Sequence, residues 1–216
     1  MSSADRFDAD YFEHGVDKGI SLYKDYHYMP ERLKVEALAF IKYMGVERHQ
    51  EILDFGCAKG FFVRALVELG YLAYGCDISE YALSQAGDDI GQCLWLLGND
   101  IPVGWHHYFR WGFCKDVLEH CEYDEIASVV QLMAASAEEW LVIVPLGWRG
   151  KNEFVIPDYE KDKTHIIRED PLWWSDLFRD NGFEIMDWRY RVEGLKDKWF
   201  FVHPAGNIFL RLKRNS

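Results

Sequence analysis

The stretch Ile52-Leu53-Asp54-Phe55-Gly56-Cys57-Ala58-Lys59-Gly60-Phe61-Phe62 decides the fold. Ile52, Leu53 and Phe55 form a short apolar run of the length of a buried strand, closed by Gly56. Phe61, Val63, Leu66 and Leu69 follow at helical spacing and stop at Gly70, a helix-ending glycine. A strand thus passes through a turn of small residues directly into a helix. Small residues at 56, 58 and 60 let a ligand approach the backbone, and a helix N-terminus favours a negative group. Asp77 ends the next apolar run, where a carboxylate meets ribose hydroxyls in nucleotide-binding α/β folds. Without Asp77 in that place, the same glycines would describe no more than a tight turn.

The alternation extends both ways. Pro30 opens a helical pattern to about Tyr43, with Leu33, Val35, Leu38 and Ile41 as its apolar stripe. Leu72 to Cys76 reads as a strand, and Ser79 as the N-cap of a helix over Glu80 to Ala86. Strands are expected at Cys93–Leu97, Tyr108–Lys115 and Trp140–Val144, with a helix from about Tyr123 to Glu138. A polar stretch runs from Gly147 to Arg168, and Asp170-Pro171 then starts a helix that ends at Asn181-Gly182. Phe183 to Lys213 reads as two long hairpin strands, broken at Gly194 and Pro204-Ala205-Gly206. The pattern predicts an α/β fold: a Rossmann-like, doubly wound seven-stranded sheet with helices on both faces and an antiparallel C-terminal hairpin at the edge. Residues 1–216 read as one domain, with an N-terminal cap and helix over 1–45, a core over 46–216 and a substrate loop at about 145–168.

Composition narrows the partners. Of 216 residues, 49% are hydrophobic and 28% charged, which excludes a disordered chain, and the 16% aromatic content suits a small-molecule pocket. The net charge of −12 disfavours nucleic acid, whose binders are usually basic. No apolar run approaches the roughly 18 residues of a membrane span, and the polar, acidic first residues do not read as a signal peptide. Five cysteines without a CxxC pair fit buried thiols in a reduced, cytoplasmic protein. A monomer or homodimer without membrane contact is expected.

The details of the loop choose among nucleotides. A dinucleotide fingerprint needs a small residue where Phe61 stands, and a phosphate-binding P-loop needs Lys and Ser/Thr after Gly60. Instead the small residues fall at the first, third and fifth positions, with an acid two residues before the first. LDFGCAKGFF resembles motif I of class I S-adenosylmethionine-dependent methyltransferases, with Ala58 where many members carry glycine. Tyr74-Gly-Cys-Asp77-Ile-Ser-Glu-Tyr-Ala-Leu83 is similar to the family's second motif, whose acid binds the ribose. Asp116-Val-Leu-Glu119-His120 resembles the segment at the cofactor's methionine end in small-molecule members. His165, Trp173-Trp174 and Gly182-Phe183 resemble their tail, and the opening Tyr11-Phe-Glu-His-Gly with Tyr23 and Tyr26 resembles segments that cover the cofactor.

The resemblance implies S-adenosylmethionine as cofactor and S-adenosylhomocysteine as product. It implies a cofactor site of Asp54, Gly56, Cys57, Ala58, Gly60, Asp77, Ile78 and Asp116, with Asp100 as the adenine contact. Methyl transfer is an in-line displacement for which the protein supplies proximity, and a general base helps when the acceptor is a hydroxyl or ammonium. His120 and His165 are the catalytic candidates; Trp148, Arg149 and His165 are the substrate contacts. No metal site is expected, because His106-His107 lacks partners and Pro145-Leu-Gly offers no ligand after the fifth strand. The acceptor is expected to be a small molecule such as a sugar. A non-catalytic binding protein of the same fold, and a methyltransferase for RNA or protein, remain the alternatives.

Overall fold

The computed structural model describes residues 3–98 and 108–215. The N-terminal segment folds as two short helices, α1 (Ala9–Glu13) and α2 (Gly15–Lys18), followed by the long helix α3 (Pro30–Met44). Strands and helices then alternate: β1 (Glu51–Phe55), α4 (Phe61–Glu68), β2 (Leu72–Asp77), α5 (Glu80–Ser84), β3 (Leu94–Leu96) and β4 (Phe109–Lys115). The C-terminal half adds α6 (Ile126–Ser136), β5 (Ala137–Pro145), α7 (Pro171–Asp180), β6 (Phe183–Arg189), α8 (Asp197–Val202) and β7 (Asn207–Arg214).

All seven strands form one sheet in the order β3-β2-β1-β4-β5-β7-β6. The first five are parallel, and β7 is antiparallel to both neighbours. Central strands buried on both faces carry side chains that alternate between two cores. Leu53 and Phe55, Trp140 and Val142 point to the face covered by α6 and α7. Ile52, Trp111, Phe113 and Leu141 point to the face covered by α3 and α4. Gly112 in β4 is required by this packing, since a Cβ there would sit 2.2 Å from the Trp140 indole.

Three expectations are corrected. The last two strands are not joined by a tight turn: α8 lies between them, and β7 inserts between β5 and β6. Ala137 and Glu138 begin β5 instead of ending α6, because Ala137 and Glu139 pair with β4 and the Glu139 carboxylate lies between Arg110 and Arg211. On α3 the buried face is Leu33, Glu36, Ala37, Phe40, Ile41 and Met44, whereas Val35 and Leu38 are exposed.

The strand order reverses direction between β1 and β4, and a crevice opens there at the strands' carboxyl ends. Both strands deliver acidic residues to it: Asp54 near the end of β1 and Asp116 just past β4.

Candidate active site

A cavity of about 540 Å³ fills the crevice. Its floor is Asp54, Gly56, Cys57 and Ala58 with Asp77, Ile78 and Asp116, and its roof is aromatic, from Phe7, Tyr11, Phe12, Tyr23 and Tyr26. The turn after β1 is held to β2 by the N–H groups of Gly56 and Cys57, which donate to the Cys76 carbonyl at 2.8 and 3.0 Å. Gly56 takes a φ of +78°, and a Cβ on it would meet Val117 at 2.4 Å, so only glycine fits. Ala58 also has a positive φ, of 50°. Its N–H donates to Asp77 Oδ2 at 2.7 Å, while the Ser79 N–H donates to Oδ1 at 2.8 Å. Asp77 therefore pins both the glycine loop and the start of α5, with further lone pairs left for a ligand.

Gly60 does not reach the cavity. Its φ of +70° starts α4, and a Cβ there would meet Leu94 and Ile90, so it serves the turn and the packing behind it. Asp100 falls outside the described residues.

Charge at the cavity is mostly negative. Burial pushes the Asp54 carboxyl up to about 8, with Lys115 pulling it down and Asp77 adding to the rise. Among the described residues no hydrogen-bond donor reaches that carboxylate. Burial also raises the Asp77 carboxyl, against the N–H groups of Ser79 and Ala58. Lys115 is committed to Glu36 on α3 at 2.6 Å, and Arg32 donates to the same carboxylate at 2.8 Å. Those two cations hold Glu36 below the usual range although burial alone would raise it. Asp116 pairs with Lys196 from the segment before α8.

The far end of the cavity is a polar cluster built from three distant segments. The Ile166 and Ile167 N–H groups donate to the Glu119 carbonyl at 2.7 and 3.0 Å, which lays the loop after β5 against the segment after β4. This brings His165 beside His120, with ring centroids 4.6 Å apart. His165 Nε2 lies 4.0 Å from Glu119 Oε1. Tyr11 of the roof donates to Asp162 Oδ2 at 3.0 Å, and Thr164 donates to Asp162 Oδ1 at 2.6 Å. Burial, helped by the neighbouring His165, lowers His120 to about 4, and burial lowers His165 as well. Burial and the Asp116 charge push Glu119 well above the carboxylate range. His120 lines the cavity; His165 and Glu119 form the wall behind it, 6% and 1% exposed.

Trp148 and Arg149 are not brought to this site. They line a separate cavity of about 490 Å³ between the loop after β5 and α7, where Arg149 pairs with Asp170. Several residues that build and brace this region carry no sequence signal. Lys59, Lys196, Asp162 and Glu36 are charged residues that read as solvated until the fold buries and pairs them.

A class I methyltransferase sheet is recognised by β7 lying antiparallel between β5 and β6, with the glycine loop at the β1 end, and both are present. The chain has the class I S-adenosylmethionine-dependent methyltransferase fold. No protein-family model matches it, and no curated protein does. Among solved structures it is similar to a Haloferax volcanii methyltransferase solved in complex with the Trm112 methyltransferase activator (TM-score 0.68, 16% identity, covering 100% of this chain and 98% of that one). It is equally similar to the CcbJ methyltransferase from Streptomyces caelestis (TM-score 0.68, 13% identity, 100% of both chains). The [4+2]-cyclase SpnF shares the methyltransferase fold too (TM-score 0.60, 13% identity, 84% and 80% covered). The fold thus carries more than one reaction, and the site must decide. No helix among the described residues is long and apolar enough to cross a membrane.

Proposed function

We propose that this chain binds S-adenosylmethionine and transfers its methyl group to an oxygen or nitrogen of a small-molecule acceptor. The observation that carries the reading is Asp77. It receives the N–H of Ala58 in the glycine loop, stands at the carboxyl end of β2, and lines a cavity of the volume that small-molecule sites have. Asp77 would hold the ribose hydroxyls, and Ile78 and Leu97 would flank the adenine. The methionine end, cationic at its sulfonium and ammonium, would face the Asp54 and Asp116 carboxylates; Asp54 has the lone pairs free for it. When bound, the cofactor supplies an electrophilic methyl group.

The protein's own part is positioning and exclusion of water. The aromatic roof over the cavity, tied to the floor through Lys59, keeps the transferring methyl from solvent. The acceptor would enter at the His120 end, where His120 is the group placed to take its proton. Enclosure by Phe7, Tyr11 and Tyr23 favours a small acceptor over a folded RNA or protein. The free thiols fit a reducing, cytoplasmic setting.

Calorimetric titration with S-adenosylhomocysteine tests the cofactor. Micromolar binding that is lost in Asp77→Ala supports the reading, and no binding to ligand-free protein overturns it. Turnover with panels of hydroxylated and amino metabolites then identifies the acceptor.

A further inference from the structure

The polar cluster at the end of the cavity has an arrangement that proton transfer does not require. One donor atom from each of Glu119, His120 and His165 lies within 4.8 Å of the others. The hydrogen bonds around the two rings fix their tautomers. The His165 Nδ1 is 2.8 Å from the Tyr159 carbonyl, which only accepts, so Nδ1 carries the proton. The His120 Nδ1 is 2.8 Å from Thr164 Oγ1, and that hydroxyl spends its own proton on Asp162 Oδ1. His120 therefore also donates through Nδ1. Both rings keep a bare Nε2 lone pair, and each Nδ1–H is anchored to a backbone carbonyl or, through a hydroxyl, to a carboxylate. This is the outer-shell pattern of metal-bound imidazoles.

The third member completes the set. Glu119 is buried, and its Oε2 has no hydrogen-bond partner. A buried carboxylate oxygen left bare is costly and calls for an occupant. The nearby ammonium does not provide one, because Lys196 is committed to Asp116.

We propose that Glu119, His120 and His165 bind one divalent transition-metal ion, with zinc as the ion best matched to the donors. Two neutral imidazoles and one carboxylate, with a fourth position open, form a zinc-type set of catalytic kind. Zinc bonds of about 2.0–2.2 Å place donors roughly 3.3 Å apart. The Glu119–His165 pair, at 4.0 Å, needs only a small inward rotation. Because His120 lines the cavity, a fourth position open on that side would receive an acceptor's oxygen. The site rests on these side chains whether or not the cleft holds the cofactor. In the metal-free chain the His120 Nε2 lone pair is open to a proton; with the ion bound it serves as a ligand.

The test is a cobalt(II) titration of the chelator-stripped full chain, read by visible absorption, with zinc(II) in competition. One equivalent of cobalt should develop the intense ligand-field bands of a four- or five-coordinate nitrogen–oxygen site, and zinc should abolish them. His165→Ala, Glu119→Gln and His120→Gln should each weaken cobalt binding by at least about tenfold, and Thr164→Val, which removes an anchor, by about tenfold. His120→Gln sits at the cavity wall, so its fold is the least disturbed, and circular dichroism of each variant checks this. Absent bands, bands unchanged in all of these variants, or a thiolate charge-transfer band that would place cobalt on Cys121 or another thiol overturns the site. S-adenosylhomocysteine titration of the same samples keeps the two proposals apart. Binding of that ligand without metal removes the ion site alone, and metal without that ligand removes the cofactor reading alone.

Discussion

Asp116 and Lys196 are joined by a part-buried ion pair, and each is a non-glycine residue with a left-handed backbone, at φ values of 57° and 55°. Such conformations cost of order 1 kcal/mol each and persist where the surroundings over-determine them. Here the surroundings are one another. Asp116 ends β4 at the cavity, and Lys196 comes from the irregular crossover to β7. The pair thus ties the crossover to the cleft and turns Asp116 into a fixed part of its wall. Burial alone would raise the Asp116 carboxyl, but Lys196 and then Lys115 hold it below its usual value.

Cutting this tie should be costly. Lys196→Met leaves a part-buried carboxylate without its partner and should lower stability by about 1 kcal/mol. The double variant with Asp116→Asn should cost less than the two single changes together. Chemical denaturation of the four proteins measures the coupling, and additive losses would show that the pair holds nothing together.

Asp77→Asn separates ligand binding from structure. The amide keeps one oxygen for the Ala58 or Ser79 N–H but loses the other acceptor and the charge that ribose hydroxyls would meet. S-adenosylhomocysteine affinity should fall by about tenfold or more. The melting temperature should fall by a few degrees only. Unchanged affinity with lowered stability would make Asp77 a structural residue.

Asp54 predicts opposite pH trends for the free and the liganded protein. Its carboxyl titrates near 8 in the folded chain against 3.8 as an ordinary aspartate. Between these values the folded chain holds the extra proton, so stability of the free protein declines as pH rises through this window, by at most about 1.4 kcal/mol per unit. The cationic cofactor prefers the ionised form, so its affinity should increase as pH rises through 8 and then level off. Asp54→Asn should flatten both profiles. Melting curves with and without S-adenosylmethionine across this range check the pair of trends, and parallel trends would place Asp54 outside the site.

Local signals made the β1–loop–α4 unit and the caps legible. The switch of apolar period at Gly56, Ser79 before α5 and Asp170-Pro171 before α7 are short-range features, and each appears where its chemistry needs it. What the sequence hid was long-range pairing. Glu36 reads as the polar side of α3 yet is buried, because Lys115 and Arg32 neutralise it. Glu139 falls between the expected helix and strand yet lies in β5, where Arg110 and Arg211 flank it. The Glu119–His120–His165 cluster has the same origin, since no spacing rule links its halves. Long-range hydrogen bonds bring them together, from the Ile166 and Ile167 N–H groups to the Glu119 carbonyl and between His120 and Thr164. Trp148 and Arg149 are loop residues of suitable type, but their loop lines a separate cavity beside α7.

Lys59 gives the last prediction, on how the cavity stays closed. It belongs to the glycine loop, yet its side chain is 7% exposed and turns up into the N-terminal roof. There it pairs with Glu13 at 2.5 Å and donates to the Tyr26 carbonyl at 2.8 Å. Tyr81 of α5 donates to the same Glu13 carboxylate at 2.9 Å. Glu13 directly follows the roof's first part (Phe7, Tyr11 and Phe12) and Tyr26 belongs to its second, so one ammonium clamps both parts of the cover to the glycine loop. Burying a cation this fully is unfavourable unless its partners are in place, so the clamp is cooperative with closure. Lys59→Met keeps the stem's apolar packing and removes the clamp, leaving the sheet and its two cores intact. The global melting temperature should move by a few degrees, while proteolysis within residues 1–30 should become markedly faster. Because the roof must open for a ligand to leave, the loss of S-adenosylhomocysteine affinity, about tenfold, should appear as faster dissociation with little change in association. Stopped-flow measurement of both rates decides it. An unchanged dissociation rate together with an unchanged cleavage pattern would mean that the aromatic contacts alone hold the roof down.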